Sequence, residues 1–243
     1  MSETCSPPSN KNGHYDLAVI GAGSAGFSAA ITAAEAGAQV ALIGHGTIGG
    51  TCVTVGCLPS RAMIRSAEAT HGGTSAGRFP GIEPCGHRVD WAAVVRGTTA
   101  LVDEMRQKKY ADLLPEYDAV DYVDDGAARL VEGGVEVGGR KFSAERIIIA
   151  TGPRPQKPGI AGIDSVEVLD STALLTLPER PESLIVLGGG YVGVELAQMA
   201  SRLGVKVTLV TRSRLLPGAE PEVAQALTDA LRAEGIDVET GLS

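Results

Sequence analysis

The sequence predicts an α/β protein built on two copies of one strand–turn–helix–strand unit, and three observations predict it. Residues 21–44, GAGSAGFSAAITAAEAGAQVALIG, align without a gap on residues 188–211, GGGYVGVELAQMASRLGVKVTLVT, at an offset of 167 with eight of 24 positions identical. Each copy follows a short apolar run, 16–20 or 184–187, that reads as a strand. Each then opens on G-x-G-x-x-G, runs through an Ala/Leu-rich helix to a glycine stop at Gly37 or Gly204, and ends in a Val/Leu strand. That order defines two Rossmann-like dinucleotide-binding folds, the second incomplete.

Within each copy the glycines have distinct tasks. Gly21 and Gly188 permit the turn out of the strand, Gly23 and Gly190 let a phosphate approach the backbone, and Gly26 and Gly193 let the helix pack on the sheet. The pyrophosphate is expected at the helix N-terminus, against Ser24 and Ala25 in the first copy and Tyr191 in the second. An acid that closes the second strand normally holds the adenosine ribose, whereas basic residues accommodate a 2′-phosphate. The second copy has Arg212 and Arg214 and no acid, which favours NADPH over NADH; the alternative is a pair of solvated surface arginines. The first copy has Gly44 where the acid is expected, followed by His45.

Between the copies, residues 62–69 read as a helix with Pro59 in its first turn. Residues 90–114 read as a long amphipathic helix capped by Asp90, with Trp91, Val94, Val95, Leu101, Val102 and Met105 apolar and Trp91 placed in the core. Short strands are expected near 119–123, 127–131 and 135–137, a linker over 164–181, and a third strand of the second fold at 236–240.

Composition narrows the function classes. Hydrophobic residues make up 44% and charged residues 21%, which suffices for a packed core. A net charge of −8 argues against broad binding of nucleic acid or anionic membrane. Glycine, 32 of 243 residues, is nearly twice the usual ~7% and clusters at turns. Residues 1–14 read as a flexible polar tail without the apolar stretch of a secretory signal, so the cytoplasm is the expected compartment.

There, structural disulfides are rare. Of Cys5, Cys52, Cys57 and Cys85, the close pair Cys52 and Cys57 therefore points to redox chemistry or metal binding, or to two small neighbours in the core. Five residues of ideal helix rise about 7.5 Å, beyond the ~6.8 Å upper Cα separation of a disulfide. If the two sulfurs are to form a disulfide, the chain between them must leave the regular helix, and Gly56 makes this feasible. Cys57 then falls near the N-terminus of the helix containing Pro59, where the helix dipole favours a thiolate. Cys85 with His87 is too small a set to define a metal site.

The segment 49–61, GGTCVTVGCLPSR, resembles the redox-disulfide signature of the flavin-dependent pyridine nucleotide–disulfide oxidoreductases. The IIIATG run at 147–152 and the GGGYVGVE run at 188–195 resemble two further family segments, and the likeness covers the chain from Tyr15 onward. It implies an FAD-binding domain at 15–165 that carries a redox-active Cys52–Cys57 disulfide, and a partial NAD(P)H-binding domain at 166–243. FAD would lie against Gly21, Gly23, Ser24, Ala25, Gly26, Gly50, Thr51, Ala150, Thr151 and Gly152. NADPH would lie against Gly188, Gly190, Tyr191, Gly193, Arg212 and Arg214. The likeness further implies Cys57 as the flavin-side thiolate, Cys52 as the exchanging thiol, Tyr191 as the nicotinamide gate and Glu195 as a flavin-side carboxylate. Arg61 stands where family members usually carry the lysine that pairs with that glutamate.

Within the family, GTIGGTCV, MIRSA and the stretch 104–110 are most similar to the members that reduce Hg²⁺, with thiolates holding the metal ion as substrate. Lipoamide and glutathione reductases are the near alternatives. The family runs to roughly twice this length, so the chain is expected to lack the dimerisation domain of a homodimer. By itself it is expected to show little activity, as a fragment or as the product of a truncated gene. A different class of function then also applies: a non-catalytic protein that holds a thiophilic metal through Cys52 and Cys57.

Overall fold

The computed structural model describes residues 13–241 apart from Thr47 and His87, so Cys5 and His87 lie outside the described residues. In chain order the first elements are β1 (His14–Ile20), α1 (Ser24–Glu35), β2 (Val40–Ile43), α2 (Gly50–Thr54), α3 (Cys57–Thr74) and α4 (Trp91–Arg106). β3 (Val120–Val123), β4 (Ala128–Val131), β5 (Gly134–Val137) and β6 (Arg140–Ile149) follow. α5 (Ser171–Leu175), β7 (Ser183–Leu187), α6 (Tyr191–Arg202), β8 (Lys206–Thr211), α7 (Pro221–Ala233) and β9 (Asp237–Thr240) complete the described chain. Among the described residues no helix is long and apolar enough to cross a membrane.

Contact groups the chain differently from the order of its motifs. One compact unit holds the residues up to Leu58 with Leu101–Gly159, and the other holds Pro59–Ala100 with Ile160 onward. In the first unit the strand order is β3-β2-β1-β6-β5-β4. β3, β2, β1 and β6 run parallel, and β5 and β4 form antiparallel pairs beside them. Because side chains alternate along a strand, the sheet is covered on both faces. Val19, Val40 and Leu42 pack with Phe27 and Ala30 of α1. Ala18, Ala41 and Ile43 face Val135, Val137 and Phe142 of the β5–β6 hairpin. Burying Phe27 alone contributes roughly 2–3 kcal/mol. β1 starts at His14, two residues before the apolar run suggests, because β6 pairs with it back to Ser143.

In the second unit β7, β8 and β9 run parallel in that order. Met63, Ala67, Trp91 and Val95 share one core with Leu196, Met199, Leu203 and Leu209. Trp91 is a core residue as expected, and its indole N–H donates to the Leu177 carbonyl at 2.8 Å. The expected cap is present too: Asp90 accepts from the Ala93 amide at 2.9 Å. The 90–114 helix is shorter than expected, since α4 ends at Arg106 and passes into a π turn at Gln107–Ala111. The stretch read as a linker holds structure of its own. Asp170 caps α5 through the Ala173 amide at 2.8 Å, and Leu174 and Leu175 are buried in the core.

Candidate functional site: two dinucleotide turns and a thiol pair

The two copies fold alike to the level of single hydrogen bonds. α1 and α6 are each 12 residues long and begin at matching positions, Ser24 and Tyr191. Leu17 pairs with Val40 in one fold, and Leu184 with Val207 in the other, both at the 167-residue offset. Gly21 and Gly188 share φ 117°, a left-handed value that suits glycine. Their amides donate to Ile43 and Val210 at 2.8 Å in both cases. A Cβ on Gly26 would collide with the Gly21 carbonyl, and one on Gly193 with the Gly188 carbonyl.

Both helices are capped by glycine, without a capping side chain and without an acid in the first turn. Their first N–H groups and the positive end of the dipole thus remain available to an anion. Gly190 has open space where a side chain would stand. These are the features a pyrophosphate requires, so the residues fit a dinucleotide at each turn.

The cysteine segment lies against the first turn. The Gly49 amide donates to the Ala22 carbonyl at 3.0 Å, Gly23 and Gly49 form a parallel bridge, and a Cβ on Gly50 would strike the Gly23 Cα. Gly50 and Thr51 open α2, which also carries Cys52. The helix breaks at Val55 and Gly56, as the spacing of the sulfurs requires, and Cys57 is the first residue of α3. Cys52 and Cys57 are both exposed. The Ala150 amide donates to Ile20 at 2.7 Å, and Thr151 N lies 3.1 Å from the side-chain position of Gly21. The carboxyl ends of β1 and β6 therefore bring residues 21–26, 49–50 and 150–151 together, where ligands of open α/β sheets bind. Gly152 follows with φ 68°.

Two tyrosines to which the sequence assigned no role stand at this site. Tyr110 lies edge-on to Phe27 with ring centres 4.8 Å apart, and its hydroxyl is 3.1 Å from Ser24 Oγ at the start of α1. Tyr122 lies over Gly44. Tyr122 belongs to no local motif, and Tyr110 ends the 104–110 stretch. Each arrives from a segment more than 75 positions downstream of its partner.

In the second fold Tyr191 is 73% exposed at the first position of α6. Arg61 and Glu195 line one cavity of about 410 Å³ with Ile64, Arg65, Glu68 and Arg202. The two arginines after β8 differ in their hydrogen bonds. Both are exposed, and Arg214 donates to the carbonyls of Pro217 at 3.0 Å and Ala219 at 2.7 Å. Leu216 closes the same loop with φ 41°, and its amide donates to Gly189 at 2.7 Å. Behind the site Arg202 holds Glu234 through two hydrogen bonds of 2.7 and 2.6 Å, which push the carboxyl below its ordinary range. Among the described residues no group of three or more His, Cys, Asp or Glu could hold a metal ion.

Two dinucleotide folds in series, with a close cysteine pair laid on the first, define a class of flavin- and nicotinamide-linked disulfide oxidoreductases. The chain belongs to the pyridine nucleotide-disulphide oxidoreductase family, which it matches over residues 15–243. It is 44% identical over 232 residues to a mercuric reductase of Streptomyces lividans, covering 93% of this chain and 48% of that one. It is 40% identical to a mercuric reductase of Staphylococcus aureus, covering 96% and 43% respectively. Among solved structures it superposes on the HOCl-induced flavoprotein disulfide reductase RclA from Escherichia coli with a TM-score of 0.80. There the identity is 31%, and the match covers 94% of this chain and 49% of that one. The chain thus spans about half the length of the relatives it matches.

Proposed function

We propose that the chain is the nucleotide-binding part of an NADPH- and FAD-dependent oxidoreductase that reduces Hg²⁺ to Hg⁰ in the cytoplasm, as part of a homodimer. The observation that carries the reading is the pair of matching turns, one of them in contact with the segment of Cys52 and Cys57. The mercuric reductase relatives support the choice of substrate.

Residues 15–165 hold FAD, with Gly21, Gly23, Ser24, Ala25 and Gly26 at the pyrophosphate and Gly50, Thr51, Ala150, Thr151 and Gly152 around it. Bound there, FAD would supply the two-electron chemistry that side chains cannot. Residues 166–243 hold NADPH at Gly188, Gly190 and Gly193, with Arg212 on the 2′-phosphate and Arg214 fixing the loop that presents it. Tyr191, exposed at the head of α6, gates the nicotinamide. Arg61 and Glu195 supply a cation and a carboxylate to one cavity. Cys52 and Cys57, as soft thiolates, hold the soft metal ion. The overall reaction, NADPH + Hg²⁺ → NADP⁺ + H⁺ + Hg⁰, balances in charge and electrons.

The test is NADPH oxidation by the protein with its full downstream reading frame, with and without Hg²⁺. Hg²⁺-dependent oxidation with release of Hg⁰ vapour is the expected result. Oxidation that responds to a disulfide substrate and not to Hg²⁺ would instead favour a disulfide reductase, the reading supported by the likeness to RclA. Colourless protein that still binds Hg²⁺ through both cysteines would favour simple sequestration.

A further inference from the structure

A dinucleotide fold normally ends its second strand on an acid that bonds the ribose of the adenosine half. In the first fold that position is Gly44, and the Tyr122 ring occupies the space into which an acid there would project. A Cβ built on Gly44 would run into the Tyr122 hydroxyl and lie 2.8 Å from two carbons of its ring. The volume a carboxylate would occupy is filled by a phenol from the neighbouring strand.

The backbone fixes this arrangement. Tyr122 pairs with Leu42 across β2 and β3, and the Gly44 amide donates to the Val123 carbonyl at 2.8 Å. The second fold carries the reverse pattern at matching positions. Leu209, the counterpart of Leu42, pairs with Val238, and Thr211 is the counterpart of Gly44. One fold has a bare strand end beside a large neighbour, and the other has a side chain at the strand end beside a small one. The two changes compensate in volume. Val238 is buried at 3% exposure, whereas Tyr122 is only partly buried and its hydroxyl lies beside Gly44 at the end of β2.

We propose that Tyr122 replaces the missing carboxylate, its hydroxyl bonding one hydroxyl of the adenosine ribose of the dinucleotide held by the first fold. The assignment rests on the reading of that fold as the FAD site. A phenol both donates and accepts, so it serves a ribose hydroxyl in either sense. It offers one oxygen where a carboxylate offers two, so the fold grips one ribose hydroxyl and leaves the other to solvent or to other groups.

The test is titration of flavin-free protein, followed by quenching of flavin fluorescence. The probes are FAD and two FAD analogues whose adenosine ribose lacks either the 2′- or the 3′-hydroxyl. Tyr122→Phe keeps the packing against Gly44 and removes only the oxygen. It is expected to weaken FAD binding about three- to tenfold and to leave unchanged the affinity for the analogue that lacks the partner hydroxyl. Unchanged FAD affinity in Tyr122→Phe overturns the assignment. An equal loss toward FAD and both analogues also overturns it, because the tyrosine would then act through packing. If the unsubstituted protein binds none of the three, the FAD reading fails and takes the assignment with it.

Discussion

Gly26 lies so close to the carbonyl oxygen of Gly21 that no side chain fits between them, and Gly193 repeats the contact with Gly188. The contact sets how near each helix N-terminus comes to the turn that would hold the phosphates, and it separates the two folds experimentally. Gly26→Ala is expected to destabilise the first fold by about 2–3 kcal/mol and to abolish flavin retention while NADPH binding persists. Gly193→Ala should do the converse. Flavin content and NADPH affinity measured on both variants check the pattern, and loss of both ligands from either variant would contradict it.

The two arginines after β8 should behave differently, although their spacing makes them look equivalent. Arg212 is exposed, and Arg214 is bound to the carbonyls of Pro217 and Ala219. Arg212→Glu is expected to lower kcat/KM for NADPH about ten- to a hundredfold, a loss in line with a charge-assisted contact, and to change NADH little. Arg214→Ala should weaken both nucleotides alike, because it frees the loop without removing a contact to the 2′-phosphate. Steady-state kinetics with both nucleotides distinguishes the two effects.

Much of the fold was legible in the sequence because the repeat is gapless. The offset of 167 fixes both helices, the strand register and the stop at Gly37 and Gly204. The break between Cys52 and Cys57 was legible too, since helix geometry and disulfide reach conflict over five residues. Local patterns could not show what arrives from far along the chain. Tyr110 meets Ser24 across 86 positions, and Tyr122 fills the space at Gly44 through strand pairing. Both contacts depend on a connection between β2 and β3 whose path no periodicity encodes. α5 was missed for a related reason. Five residues carry too little pattern to reveal a helix, and Leu174 and Leu175 become core residues only once the sheet is in place.

The Arg202–Glu234 pair predicts a pH dependence of stability in the second fold. Hydrogen bonds from Arg202 are the chief cause of the lowered Glu234 pKa, against an ordinary value of 4.5. A carboxylate with a depressed folded value stabilises fully above its unfolded value, and that stability is lost as pH falls through the folded one. The side chains of the pair are each 18% exposed, so solvent screening is reduced but not absent. Glu234→Gln is expected to cost about 1–2 kcal/mol near neutral pH, and the deficit should shrink as pH falls below 4.5. Urea titrations of both proteins across that range check it, and a deficit that grows toward acid would contradict it.

Tyr15 provides the opposite sign in the first fold. Its hydroxyl donates to Asp121 at 2.9 Å, and burial, reinforced by that carboxylate, raises its pKa well above the ordinary 10.0. The neutral phenol therefore stabilises the fold below that value, and the contribution is lost as pH rises through the folded value. Tyr15→Phe should cost about 2 kcal/mol at neutral pH, measured by chemical denaturation, and an unchanged stability would contradict the contribution of this bond.

The most direct measurement counts thiols at two positions. Flavin-loaded, air-oxidised protein is alkylated before and after anaerobic NADPH, and the peptides carrying Cys52 and Cys57 are weighed by mass spectrometry. The two nucleotide folds acting on one cysteine pair require both residues to be blocked at first and both to become alkylatable after NADPH, with Cys85 reactive throughout. Cysteines 52 and 57 that are equally reactive before and after NADPH would contradict that account.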